Sequence, residues 1–351
     1  MTAGRDFAAA FHAELVGPLL GRELPGLRYA AARLGSGSDV LGLDDAMSRD
    51  HDWGCRLTLL VDAAEHAAVP VVREMLARSL PERFRGRPVR FAATWDPVVS
   101  HRIEVATVGG FAASRLGADP VAGLSTVDWL TLTGQSVLEV SAGPVYADGT
   151  VELAVLHRTL AWYPPDLERY TLACAWHRIA QRMARIGRTA QTGQLMQSRV
   201  LAVSLVNDVI SLAFLLHRRW SPYDKWREAM FARLPVAVEL AAPLHTAASG
   251  AGWPEREAAL ATAVEILARV QRDRGLPTPD RVVVPFWDRP YRTVDGLVAR
   301  LLRADLTDPV LAGLPLTGTV EQWVDSIDVL DHTDRRAALA AAYRAWLARA
   351  R

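Results

Sequence analysis

Apolar and polar positions change rhythm near the middle of the chain. Between about residues 29 and 160, short apolar runs alternate with stretches of helical spacing. Residues 29–34 and 55–61 are apolar runs short enough for strands. Residues 89–94 and 103–108 run apolar or alternate, with β-branched positions, and also suit strands. Val72, Met75, Leu76 and Leu80 recur at three- and four-residue intervals, which predicts a helix over 71–80. Residues 137–140 and 151–156 flank Asp148-Gly149, a dipeptide that favours a hairpin turn, and read as two further strands. This alternation predicts an α/β or α+β sheet domain.

Tyr163-Pro164-Pro165-Asp166 marks the best boundary. Two prolines continue neither strand nor helix, and Asp166 suits the cap of a following helix. Beyond it, residues 167–186, 195–218, 225–234, 256–272 and 334–350 carry apolar positions at i, i+3 and i+4, the signature of helices. Residues 281–292, with Val282-Val283-Val284 and two prolines, read as an extended connection. The expected architecture is α+β: a mixed sheet with helices over 1–162, then an all-α domain over 163–351.

Composition narrows the function classes. Half the residues are apolar and 23% charged, with a formal net charge of +1. That balance builds an ordinary core and supplies no broad field for nucleic acid or an anionic membrane. Two cysteines, Cys55 and Cys174, lack metal-ligand spacing and make no disulfide framework, so a reducing cytoplasm is expected. Residues 1–20 mix Arg5, Asp6, His12 and Glu14 into an apolar pattern, an amphipathic helix and not a signal peptide. No uninterrupted apolar run approaches the ~18 residues of a membrane span. A soluble cytoplasmic protein is the expectation.

The candidate chemistry lies between the first two strands. Gly35-Ser36-Gly37-Ser38 follows the first apolar run, and Asp50-His51-Asp52 precedes the second. Glycines let backbone N–H groups turn toward a phosphate, the serines add hydroxyls, and a short helix starting near Ser38 would aim its N-terminus there. If Asp50 and Asp52 stand on a strand, their carboxylates share a face while His51 and Trp53 point away. Two adjacent carboxylates repel unless a cation lies between them, and Mg²⁺ takes such oxygen ligands together with substrate phosphates. Alone, an Asp-x-Asp is usually a solvated turn and a Gly-Ser run a flexible loop; the ordered combination carries the weight. His51 and Trp53 read as packing residues, and Asp44 and Asp45 as solvated. The stretch from Phe286 to Pro290 reads as a conformational fixture. Arg199 and Asp208 on the long helix read better as an ion pair or cap contact than as cleft lining.

Gly37-Ser38, eleven residues, then Asp50-His51-Asp52 resembles the defining motif of the nucleotidyltransferase superfamily, the DNA polymerase β-like fold. The longer Gly35-Ser36-Gly37-Ser38 and Ser48-Arg49-Asp50-His51-Asp52-Trp53-Gly54 are similar to a bacterial domain-of-unknown-function family within it. Trp129-Leu130, Tyr163-Pro164, the residues from Pro222 to Trp226, Asp288-Arg289-Pro290, and Gln322 with Asp325 and Asp328 extend that resemblance over most of the chain. The resemblance implies two Mg²⁺ ions on Asp50, Asp52 and a third acid, Glu104 or Asp96. It implies a nucleoside triphosphate on Gly35, Ser36, Gly37 and Ser38, with Tyr223 and Lys225 reaching its phosphates. Glu104 is preferred because a mid-strand carboxylate among apolar neighbours is costly unless paired or metal-bound; Asp96, before Pro97, reads as a turn residue. The implied activity moves a nucleoside monophosphate to a hydroxyl of a small-molecule acceptor, antibiotic-like or another natural product, held between the two domains. The competing expectation is a nucleotide-binding or regulatory protein of this fold without transfer activity, antitoxin-like. A helical nuclease would need an Arg followed four to six residues later by a His, a spacing the second half lacks.

Overall fold

The structure is a computed structural model that describes residues 3–48 and 52–349. It is a mixed α/β structure whose chain divides into two compact units. The first takes the chain as far as Asp128 together with Gly134–Ala161; the second takes Trp129–Thr133 and everything from Trp162 onward.

The first unit is built on a five-stranded mixed sheet in the order Arg90–Ala93, Asp96–Thr107, Arg56–Val61, Ala30–Ala32, Val145–Asp148. Arg56–Val61 runs parallel to Asp96–Thr107, and the other pairings are antiparallel. A parallel pair needs a long crossover, which the Ala68–Ser79 helix supplies. One face of the sheet presents Leu57, Leu59, Ile103 and Val105 to a core completed by Val72, Met75 and Leu76 of that helix and by Phe7, Phe11, Val16 and Leu20. The N-terminal helical segment supplying those last residues runs Gly4–Phe11, widens to a π-turn over His12–Val16, and continues as Gly17–Glu23. Pro18, which lacks an N–H, stands at the start of its last piece, and the wider turn accommodates it.

Two expected strands are helices. Residues 137–140 lie within the helix Gly134–Ser141, and residues 151–156 lie largely within Glu152–Thr159. Short apolar runs do not distinguish a strand from a buried helix, and here Leu153 and Leu156 bury at helical spacing. The strand that forms there, Val145–Asp148, pairs instead with Ala30–Ala32. Asp148 then accepts from the Thr150 amide and hydroxyl (2.9 and 2.8 Å), a local turn and not a hairpin.

The second unit is mainly helical. Trp176, Leu205, Val209, Leu212, Leu240, Leu260, Val264 and Leu267 form its apolar centre, and the Trp176 indole donates to Gln271 Oε1 at 2.6 Å. It is not all-α. Val283–Pro285 and Arg292–Val294 pair as an antiparallel two-stranded ladder where an extended connection was expected. Asp166 does not cap the helix it opens. Pro164 holds the cap position of Pro165–Met183, and the Asp166 carboxylate accepts from the Thr307 and Asp308 amides at 2.7 and 2.8 Å. The helix Leu195–Leu216 is long and apolar enough to cross a membrane by length and composition, although polar residues including Arg199 and Asp208 interrupt its apolar run. Its inner face, including Ala202, Leu205, Val209 and Leu212, is part of the core. Asp208 on this helix is held in an ion pair by Arg178 and Arg182 of Pro165–Met183 at 2.8 and 2.7 Å.

Candidate functional site

The Gly-Ser loop is wrapped around a buried charge. After the Ala30–Ala32 strand, Arg33 turns inward and is 1% exposed. Its guanidinium grips Asp39, itself 7% exposed, with two bonds of 2.7 and 2.8 Å. It also donates to the carbonyls of Leu34 (2.6 Å) and Ser36 (2.8 Å). A buried pair is tolerated when the geometry is bidentate and other donors find partners; here the grip on Asp39 is bidentate and two further N–H groups are spent on carbonyls. Gly37 has φ +134°, and a Cβ there would lie 2.4 Å from Asp39 Oδ1 and 2.5 Å from Arg33 Nη2. Only glycine fits between the two charged side chains.

The expected short helix near Ser38 is a set of overlapping turns. Val40 donates to Gly37, Leu41 and Leu43 to Ser38, and Gly42 to Asp39, at 2.9–3.2 Å. The amides of Ser36, Gly37, Ser38 and Asp39 donate to no group among the described residues. Ser36 and Gly37 are exposed and Ser38 half-buried, while Gly35, buried, donates its amide to Glu139 O at 2.7 Å. The loop therefore offers consecutive unspent N–H groups on a braced backbone, an arrangement suited to an anion.

Asp52 lies near the loop, since Arg56 bridges its carbonyl and Ser36 Oγ. Asp50 and His51 are outside the described residues. Asp52 is not on a strand: the strand starts at Arg56, and Asp52 occupies the turn before it. Its carboxylate accepts the Thr94 amide at 2.7 Å and the Thr94 hydroxyl at 2.5 Å. Glu104 is mid-strand, opposite Thr58 in the parallel ladder, and exposed. Arg115, in the last turn of the helix Val108–Leu116, holds both of its oxygens at 3.0 and 2.6 Å. Asp96 starts the same strand and is held by Arg102 at 2.7 Å, whose hydrogen bond, with one from the Val98 amide, keeps its carboxyl below the usual range.

Arg56 joins the two halves of the motif. It donates to Asp52 O and to Ser36 Oγ, both at 3.3 Å, and its guanidinium lies 4.8 Å from the centre of the Trp95 ring. Burial and the charge of Arg33 push it down to about 9, against the pull of Asp39, Asp52 and Glu104, so it stays a cation at neutral pH. Arg56 and Thr58 are two apart on one strand and Thr58 faces Glu104, so all three share a sheet face. Thr58 Oγ1 also donates to Leu34 O at 3.4 Å, fixing the base of the loop to that face. Tyr223 and Lys225 belong to the second unit, at the start of Asp224–Phe231; Lys225 is exposed, with Nζ 4.9 Å from the centre of the Trp226 ring.

Carboxylate oxygens of this kind suit Mg²⁺. Among the described residues, no three His, Cys, Asp or Glu side chains gather as a metal site. Residue-by-residue reading passed over Arg33, Arg56 and Arg115. A signal for the first existed: an arginine closes an apolar strand, and an aspartate six residues on lies beyond two glycines. Arg115 had no local signal, because its partner is on a different element.

A family described as Domain of unknown function (DUF4037) matches residues 129–227. That stretch holds Trp129-Leu130, Tyr163-Pro164 and the residues from Pro222 to Trp226, but not the Gly-Ser loop or the aspartates. A solved structure, a nucleotidyltransferase-like protein from Exiguobacterium sibiricum 255-15, aligns with 12% identity over 79% of this chain and 82% of its own, with a TM-score of 0.30. No curated protein matches the chain.

Proposed function

We propose that this chain is a Mg²⁺-dependent nucleotidyltransferase acting on a nucleoside triphosphate and a hydroxylated small molecule. The observation that carries the proposal is the loop. Among the described residues, four consecutive amides, from Ser36 to Asp39, are unspent on a backbone braced by a buried Arg33–Asp39 pair. Unspent amides over a fixed frame bind phosphate oxygens without reorganisation, which is where such sites gain most of their effect. The acids follow from the resemblance: Asp50, Asp52 and Glu104 would hold Mg²⁺, which neutralises the phosphates when bound. Arg56 would add a fixed positive charge beside Ser36.

In the reaction, an acceptor hydroxyl gives its proton to a carboxylate of the site. Its oxygen forms a bond to the α-phosphorus, the α–β bridging bond breaks, and pyrophosphate leaves with that electron pair. The chain's own contribution is positioning and charge complementarity. A second reading, nucleotide binding without transfer, is favoured by one observation: Asp52 and Glu104 are already engaged by Thr94 and Arg115.

Calorimetric titration of each nucleoside triphosphate with Mg²⁺, on wild type and Asp50→Ala, tests the site. Metal-dependent binding lost in the variant is expected; no metal-dependent binding by wild type would sink the assignment. Pyrophosphate release with a panel of hydroxylated acceptors then separates transferase from binder.

A further inference from the structure

Arg115 holds Glu104 and lies beside the start of the Gly-Ser loop. Nη1 and Nη2 hold the two oxygens of Glu104, and Nη2 lies 3.3 Å from where a Cβ on Gly35 would be. Its guanidinium lies 3.9 Å from the centre of the Phe111 ring, and Nη1 also donates to Ser114 Oγ at 3.0 Å. The group is thus between an acid and an anion-binding loop, on a long side chain that can turn to either.

Those two neighbours make competing demands. A divalent cation on the Glu104 oxygens would stand within a few ångströms of the guanidinium, and like charges that close repel. A triphosphate on the loop, beside Gly35, offers the same guanidinium a stronger bidentate partner than one carboxylate. We propose that Arg115 exchanges partners: it holds Glu104 until a metal-bound triphosphate arrives, then releases the carboxylate to the metal and takes phosphate oxygens. Metal and nucleotide binding are thereby coupled, each favouring the other. The inference rests on the reading of Glu104 as a metal ligand.

The test is a double-mutant cycle read by Mn²⁺ binding, with free Mn²⁺ followed by electron paramagnetic resonance and no nucleotide added. Glu104→Gln should weaken Mn²⁺ by ~10-fold, the loss of one charged ligand. Arg115→Ala should tighten it by ~3- to 5-fold, the strength of a partly exposed ion pair. In the Glu104→Gln background the Arg115→Ala gain should vanish, whereas a general charge effect would persist there. Inorganic tripolyphosphate with Mg²⁺ should bind Arg115→Ala about 10-fold more weakly, the worth of one charge-assisted contact. If Arg115→Ala does not fold, Arg115→Gln runs the same cycle. A gain that survives in the Glu104→Gln background, no gain, or unchanged tripolyphosphate binding overturns the exchange. Unchanged Mn²⁺ affinity in Glu104→Gln alone overturns the underlying assignment of that acid instead.

Discussion

Replacing Gly37 by alanine tests whether the loop is braced as described. Two costs add. The backbone stands at φ +134°, where an L side chain is strained by roughly 1–3 kcal/mol. The new methyl would also lie 2.4 Å from Asp39 Oδ1 and 2.5 Å from Arg33 Nη2, and neither group can retreat without breaking the buried pair. Separating a buried ion pair costs about 3–5 kcal/mol, so the total expected is about 4–8 kcal/mol. Gly26 supplies the control: its φ is +89° and a methyl added there would meet no atom within 4 Å, so Gly26→Ala carries the backbone cost alone. Urea denaturation followed by circular dichroism compares the two variants, and triphosphate binding is measured on both. Gly37→Ala should lose more stability than Gly26→Ala by about 3–5 kcal/mol and should lose nucleotide binding, which Gly26→Ala keeps. Equal costs in the two variants would refute the claim that the Arg33–Asp39 pair fixes the loop.

Three further outcomes are expected. Arg33→Met alone should destabilise by about 3–5 kcal/mol because Asp39 is left buried and unpaired, while Arg33→Met with Asp39→Leu should recover part of that loss in the same denaturation assay. Burial raises the Glu168 carboxyl, but hydrogen bonds from Arg218 and Arg274 outweigh it and leave it below its ordinary value. Its stabilisation is therefore present above the unfolded value of about 4.3 and is lost as pH falls through the folded one; Glu168→Gln should flatten the acid limb of a stability–pH curve. Cys55 and Cys174 are buried, and burial pushes both thiols up to about 12, so neither should react with a disulfide reagent at pH 8 until denaturant is added.

Much of the chain's local form is written in its local pattern. The helix Ala68–Ser79 follows from Val72, Met75 and Leu76, and Leu195–Leu216, Trp253–Asp273 and Thr333–Arg349 lie within a few residues of where their spacing puts them. Four of the sheet's strands were legible as apolar or β-branched runs. What failed was the interval from 137 to 156, where strand and helix patterns coincide over four to six residues and the tertiary partner decides. Val145–Asp148 became a strand because Ala30–Ala32 had an open edge to pair with, a fact about a segment more than a hundred residues away.

The Gly-Ser loop has the same divided origin. Two glycines between Arg33 and Asp39 permit an unusual backbone, so a tight loop there was legible in the sequence alone. That the loop would close around a buried ion pair, leaving the amides from Ser36 to Asp39 unspent, depended on the sheet removing Arg33 from water. The placing of Asp52 and Glu104 depended on it still more. Thr94 bonds Asp52 from 42 residues away, and Arg115 reaches Glu104 from a separate helix. A charged side chain's partner is set by distance in space, and a linear pattern records only distance along the chain.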